Sequence, residues 1–279
     1  MPVRVVAFAI IFSLTSVLFS PDGGICGPTF DRVTKNGVVR LGLPYNIVPQ
    51  GYLDPNGQWV GFEVDFGTEL AKHMNLQLEK VQITESTWGP LLRSGRIDAA
   101  ICRIRHTRAL ESEFDFSVAY FFDTKKVLVP KGTIKGVEDF KGQKVAAVQG
   151  TSFEKVAMNL LRASGDESAE RNVVSHPDRP SCFLALGKKS VAGWLDSGVI
   201  LLEYASRNPG KFDLIDASGV AEPIAVAVPQ DDSAWRDLIN FAIQDMAGDG
   251  SLQKVCDKWF GPDSAYSFPC TRAIETWPE

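Results

Sequence analysis

Histidine is scarce in this 279-residue chain, and its three copies, His73, His106 and His176, are scattered. No cysteine pair has metal-ligand spacing either, so a zinc site has no support and no cofactor is expected. The glycines form neither a GxxxxGK[ST] loop nor a GxGxxG fingerprint, which leaves nucleotide binding without a phosphate cradle. A GxSxG elbow is missing, and so is a convincing Ser/His/Asp set for nucleophilic catalysis. Basic residues do not exceed acidic ones: the formal net charge is -5. Nucleic-acid binders usually present basic surfaces, so no nucleic-acid partner is expected.

What is present begins with one apolar run. Arg4 is followed by VVAFAIIFSLTSVLF, short for a membrane span and of the size of a signal-peptide core. The reading is a signal peptide over residues 1–24, cleaved between Ser20 and Gly24, with a buried first helix as the alternative. No later segment is long enough to cross a bilayer, so the mature chain is expected to be exported and soluble, in the periplasm. Export permits disulfides, but five cysteines leave at least one thiol unpaired. Cys256 and Cys270 flank a helix end that runs into a Pro-containing tail. A bridge there would pin the tail; without it both would remain thiols.

Along the mature chain, strand and helix signals alternate. Val39, Leu41 and Leu43 show strand period, and Phe62, Phe66, Leu70 and Met74 recur at helical spacing. Leu76-Gln-Leu and Val81-Gln-Ile look strand-like, Thr87 to Ser94 reads as a short helix, and KVLVP ends a further strand at Pro130. KVAAV at 144–148 opens a new unit, VAGWLD and PIAVAV read as strands, and the chain after Trp235 is helical. Such alternation predicts an α/β protein with a largely parallel sheet covered on both faces.

Two stretches carry candidate chemistry. Thr151-Ser-Phe-Glu154 fits a capping box, which starts a helix just after KVAAV. With Gly150 ahead of it, that helix start could favour a carboxylate or phosphate, or simply begin a helix. The second stretch is RIRHTRAL, residues 103–110, at the carboxyl end of the Ile97–Ile101 strand signal, where open α/β sheets place their ligands. Arg103 and Arg105 there are either anion contacts or members of a solvated loop, with Glu111, Glu113 and Asp115 near enough to pair with them.

The order VRLGL, DPNGQWVGFEVDFGTELA, PLLRSGRIDAA, FDFSVAYF, DFKGQKVAAVQGTS and DKWFG resembles the polar-amino-acid solute-binding proteins of ABC importers, a likeness spread over nearly the whole chain after Cys26. The resemblance implies a type II periplasmic binding protein fold of two lobes. Residues 27–128 and 224–279 would make the first lobe and 129–223 the second, with KVLVP and PIAVAV as hinge strands and a ligand cleft between. It also implies hinge closure on a small-molecule ligand, delivery to an ABC permease in the inner membrane, and a monomer without catalysis. In the family, an arginine in a T-x-E-R segment ahead of the FS motif clamps the ligand carboxylate. This sequence has Thr107-Arg108-Ala109-Leu110, so Leu110 stands where the clamp belongs.

Other contacts depart too, with Ile47 near the place of a covering aromatic and Gln50 for a phenylalanine. The expected ligand set is therefore atypical: Glu85 and Trp88 from one loop, Arg103 and Arg105 as relocated anion contacts, Gly150, Thr151 and Ser152 at the retained helix start. Asp196 is the nearest match to the family's ammonium-binding aspartate. The ligand should be a small anion or amino-acid-like molecule. The alternatives are an accessory or sensory binding protein that feeds no transporter, and a lyase similar to cyclohexadienyl dehydratases.

Overall fold

The structure, a computed structural model, describes residues 27–270 and 274. The expected signal segment lies outside them, as does Cys26. Among the described residues no helix is long and apolar enough to cross a membrane.

The strands in chain order are β1 (Val38–Pro44), β2 (Asn46–Ile47), β3 (Gly51–Leu53), β4 (Trp59–Val60), β5 (Gln77–Ile83), β6 (Ala99–Ala100), β7 (Asp115–Pro130), β8 (Val145–Val148), β9 (Val173–His176), β10 (Gly193–Ser197) and β11 (Phe212–Val228). The short β2, β3 and β4 form a small antiparallel sheet around the Asp-Pro-Asn-Gly turn. The other eight make one sheet in the order β5-β1-β6-β11-β7-β10-β8-β9.

Its wings are parallel, as expected: β1 pairs with β5 and β6, and β8 with β9 and β10. Its centre is not. The long strands β7 and β11 pair antiparallel with each other from Phe212 opposite Pro130 to Val228 opposite Asp115. β7 also pairs antiparallel with β10. The expectation of a largely parallel sheet therefore fails at the middle, because two strands cross between the lobes in opposite directions. FDFSVAYF and KVLVP, read as separate pieces, are one strand of 16 residues; PIAVAV is the last part of a strand of 17. Leu76-Gln-Leu and Val81-Gln-Ile likewise lie on a single strand, β5.

One body packs helices Phe62–His73, Ser233–Gly248 and Ser251–Phe260 around β1 and the hinge strands. Phe62, Phe66, Leu70, Trp235 and Ile239 are fully buried there. The helical period places them on one inward stripe. Asp232 accepts from the amides of Thr29, Phe30 and Trp235, so one carboxylate serves the starts of two helices. Asp98 is the acid of the RIDAA run. It accepts from the Arg40 amide at 2.7 Å and the Arg40 guanidinium at 2.6 Å, and fastens that strand end. The second body closes around Phe140, Val145, Ala157, Leu161 and Leu195, and around Cys182, Leu186 and Trp194 on the other face of the sheet.

Cys256 and Cys270 are joined, with 5.7 Å between their Cα atoms. The tail they pin lays Phe268 against Phe121 of β7 and Phe260. Cys102 and Cys182 are buried thiols.

Candidate functional site

A cavity of about 530 Å³ opens between the two bodies, over the hinge strands. That is within the range of roughly 300 to 1,000 Å³ typical of small-molecule sites. Its near wall is the chain that leaves β6. The Ile104 carbonyl accepts from the Ala225 amide, the His106 amide donates to Pro223, and Arg105 bridges Ile224, so β11 holds this loop in register. Arg103, Arg105 and Leu110 line the cavity, whereas exposed Arg108 is absent from the wall.

Arg103 is the more constrained of the two. Its φ is +49°, a left-handed conformation that favours glycine. Its amide donates to Glu63 Oε1 at 2.7 Å, and the Tyr120 hydroxyl donates to the same oxygen at 2.5 Å. The side chain then reaches across the cleft. Its Nη2 donates to Ser197 Oγ at 2.7 Å and to Asp123 Oδ2 at 3.4 Å, and its Nη1 lies 3.3 Å from Glu85. The Ser197 hydroxyl donates to Asp123 Oδ2 at 2.5 Å. Only 8% of the Arg103 side chain is exposed. Burial works against its charge, but Asp123, Glu85, Glu63 and Asp196 outweigh that and hold its pKa above the ordinary arginine value.

Arg105 differs. Its side chain is 43% exposed, it pairs with Glu222 at 3.3 Å, and its guanidinium lies 5.9 Å from the Phe153 ring centre. Glu222 is shared with Lys125 at 2.6 Å. A half-exposed guanidinium with one long contact keeps donors for an incoming carboxylate.

The far wall is the start of helix Ser152–Ala163, where Gly150, Thr151, Ser152 and Phe153 face the cavity. Gly150 has φ +74°, again the region that favours glycine. The expected capping box is not formed. Thr151 Oγ1 donates back to the Val148 carbonyl at 2.6 Å, and Glu154 accepts from the Gly150 amide at 2.9 Å and from the Ser175 hydroxyl. The hydroxyl is turned toward the preceding strand, so the first-turn amides are left without the Thr151 cap.

Glu85 and Trp88 are at the wall as well. Trp88 packs on Phe114 with ring centres 4.8 Å apart, and Glu85 lies between Arg103 and Arg179, 3.8 Å from the latter. Asp196, expected among the ligand contacts, lies behind the wall and does not line it. It is fully buried, accepts from Arg179 Nε at 3.2 Å and from the Ser197 amide at 2.7 Å. Its place at the end of β10 turns the carboxylate inward and presents Ser197 instead. Burial raises its pKa, with Arg179 opposing.

Sequence reasoning missed Asp123, Ser197, Arg179, Glu222 and Phe153, which line the cavity. Asp123 and Glu222 fall just outside the apolar runs FDFSVAYF and PIAVAV, so neither strand was recognised as continuous through its acid. Beneath the site, burial raises the Glu63 pKa to about 7, against the Tyr120 and Arg103 hydrogen bonds that lower it. Among the described residues no group of three or more His, Cys, Asp or Glu side chains is placed to hold a metal ion.

Residues 39–262 match the bacterial extracellular solute-binding proteins, family 3. The chain belongs to that family. Its relatives include the L-cystine-binding protein TcyJ of Escherichia coli K12, 25% identical over 93% of this chain and 94% of that protein. The glutamine-binding protein GlnH of Bacillus subtilis is 29% identical over 85% and 86%. A putative amino-acid ABC transporter-binding protein of Vibrio harveyi, PatH, is 31% identical over 82% and 89%. Among solved structures, an ancestral cationic amino-acid solute-binding protein superposes with a TM-score of 0.69 at 25% identity, covering 83% of this chain and 99% of its own. The unliganded, open L-cystine receptor of Neisseria gonorrhoeae also reaches 0.69, at 20% identity over 86% and 99%, and so shares the fold. Solute-binding proteins of family 3 with this two-lobe type II architecture therefore frame the site, and these relatives are binding proteins by name.

Proposed function

We propose that this protein is the extracytoplasmic binding component of an ABC amino-acid uptake system. Its cleft closes on a small amino-acid-like ligand whose carboxylate is received by Arg105. Residues 27–128 and 224–279 form the first lobe and 129–223 the second, and the protein works as a monomer that presents its closed form to a permease. The names of its relatives support amino acids as the ligand class. The observation that carries the reading is the contrast between the two arginines: Arg103 is already engaged on three sides, while Arg105 keeps donors toward the cavity. Gly150, Thr151 and Ser152 face it from the other lobe and Trp88 flanks it, while Glu85 and Glu222 offer carboxylates to an amino group. Closure follows because a ligand touching both lobes favours the closed state differentially.

The test is calorimetry with a panel of neutral, acidic and basic amino acids, followed by Arg105→Ala with whichever binds. Loss of a true carboxylate partner should weaken binding by roughly 2 to 5 kcal/mol. Equal affinity in parent and variant would remove Arg105 from the site.

A further inference from the structure

We propose that Arg103 is a specificity-determining residue: its guanidinium occupies, as a tethered cation, the acidic inner subsite of the cleft, and so excludes ligands with a cationic side chain. This rests on the reading that the cleft takes amino-acid-like ligands.

Three observations carry it. The guanidinium already sits among Asp123, Glu85 and Ser197, with contacts of 3.4, 3.3 and 2.7 Å. Those partners come from a hinge strand, the first lobe and the second lobe, so the group spans the cleft as a bound ligand would. The backbone is also fixed in this placement. Arg103 holds a left-handed φ of +49°, fastened by the buried Glu63 carboxylate that accepts its amide. A non-glycine residue in this conformation is held there by its surroundings, so the guanidinium is kept at the subsite.

Effective concentration favours the tethered group. A free cation must lose translational and rotational freedom to enter, whereas a guanidinium on the loop has lost most of it already. The tethered group therefore outcompetes a free ligand cation of equal intrinsic affinity. Ligands with a neutral or acidic side chain do not compete for this subsite.

Arg103→Gly should reverse the exclusion. Glycine suits φ +49°, and Asp123 keeps the Ser197 hydroxyl and the Thr124 amide at 2.8 Å as partners. Titration with L-arginine and L-lysine should then show at least tenfold tighter binding than the parent, and Asp123→Asn in the same background should abolish the gain. Arg103→Ala provides a second variant, and melting curves establish that each is folded. If the folded variants bind the cationic amino acids no better than the parent, the proposal is overturned. Failure of the uptake reading looks different: the parent binds no amino acid of the panel and Arg105→Ala changes nothing, while a cation gained by Arg103→Gly would still support the tethered-cation assignment.

Discussion

The inner end of the cleft and its mouth use the same residue types in opposite electrostatic states. At the inner end, Arg103 is 8% exposed and held by Asp123, Glu85 and Ser197, with Asp196 paired to Arg179 just behind. At the mouth, two residues further along one loop, Arg105 is 43% exposed and meets Glu222 at 3.3 Å. Attraction between charges grows as water is excluded, and so does the cost of leaving one unpaired. The inner groups are therefore a fixed part of the structure. The mouth is free to exchange one partner for another, which is what reversible ligand capture needs.

The contrast can be tested from its strongest point. Arg179→Ala would strip the buried Asp196 of its hydrogen-bonded cation. Because Arg179 is partly exposed and the Ser197 amide remains, the loss should lie near the lower end of the buried-pair range, about 3 kcal/mol at neutral pH. The deficit should shrink in acid, because burial has already raised the Asp196 pKa and a protonated carboxyl needs no cation. Denaturant unfolding of parent and variant at several pH values measures both effects; a loss that does not vary with pH would contradict the assignment.

Glu63 probes the floor of the same region. Its folded pKa, about 7, lies above the ordinary value of 4.5. Its contribution to stability is therefore complete below about pH 4.5 and is lost as pH rises through 7. Two to three pKa steps amount to on the order of 3 kcal/mol. Glu63→Gln should flatten that part of the stability profile, and an unchanged profile would mean that another group titrates.

The mouth should respond least. Glu222→Ala breaks two partly exposed pairs, with Arg105 at 3.3 Å and Lys125 at 2.6 Å, so stability should change by at most about 1 kcal/mol for each. Ligand affinity should change more than stability does, since Arg105 is released. A large stability loss would show that the mouth is held as firmly as the inner end.

Much of the architecture was legible in the chain. The alternating elements, the helix after KVAAV and the short helix before the Ile97 strand could be read from period and turn signals, and the two hinge crossings were implied by the family resemblance. The length of β7 and β11 could not, because Asp123 and Glu222 interrupt the apolar pattern at the points where the strands pass the cleft. RIRHTRAL was recognisable as a loop at a strand end, but Arg103 and Arg105, the two of its three arginines expected at the ligand, were indistinguishable there. The likeness to the family's ammonium-binding aspartate that favoured Asp196 pointed at the end of β10, where alternation turns Asp196 inward and Ser197 toward the cavity.

By itself the sequence determined the alternation of strands and helices, through hydrophobic periods that act over a few residues, and its resemblance to the family implied the two lobes. The same resemblance implied that Leu110 stands at the clamp position. Tertiary structure alone decided which arginine is engaged and which is available. Arg103 meets Asp123 across 20 residues and Ser197 across 94. Those encounters depend on how two hinge strands align two lobes, a long-range register that local pattern does not encode.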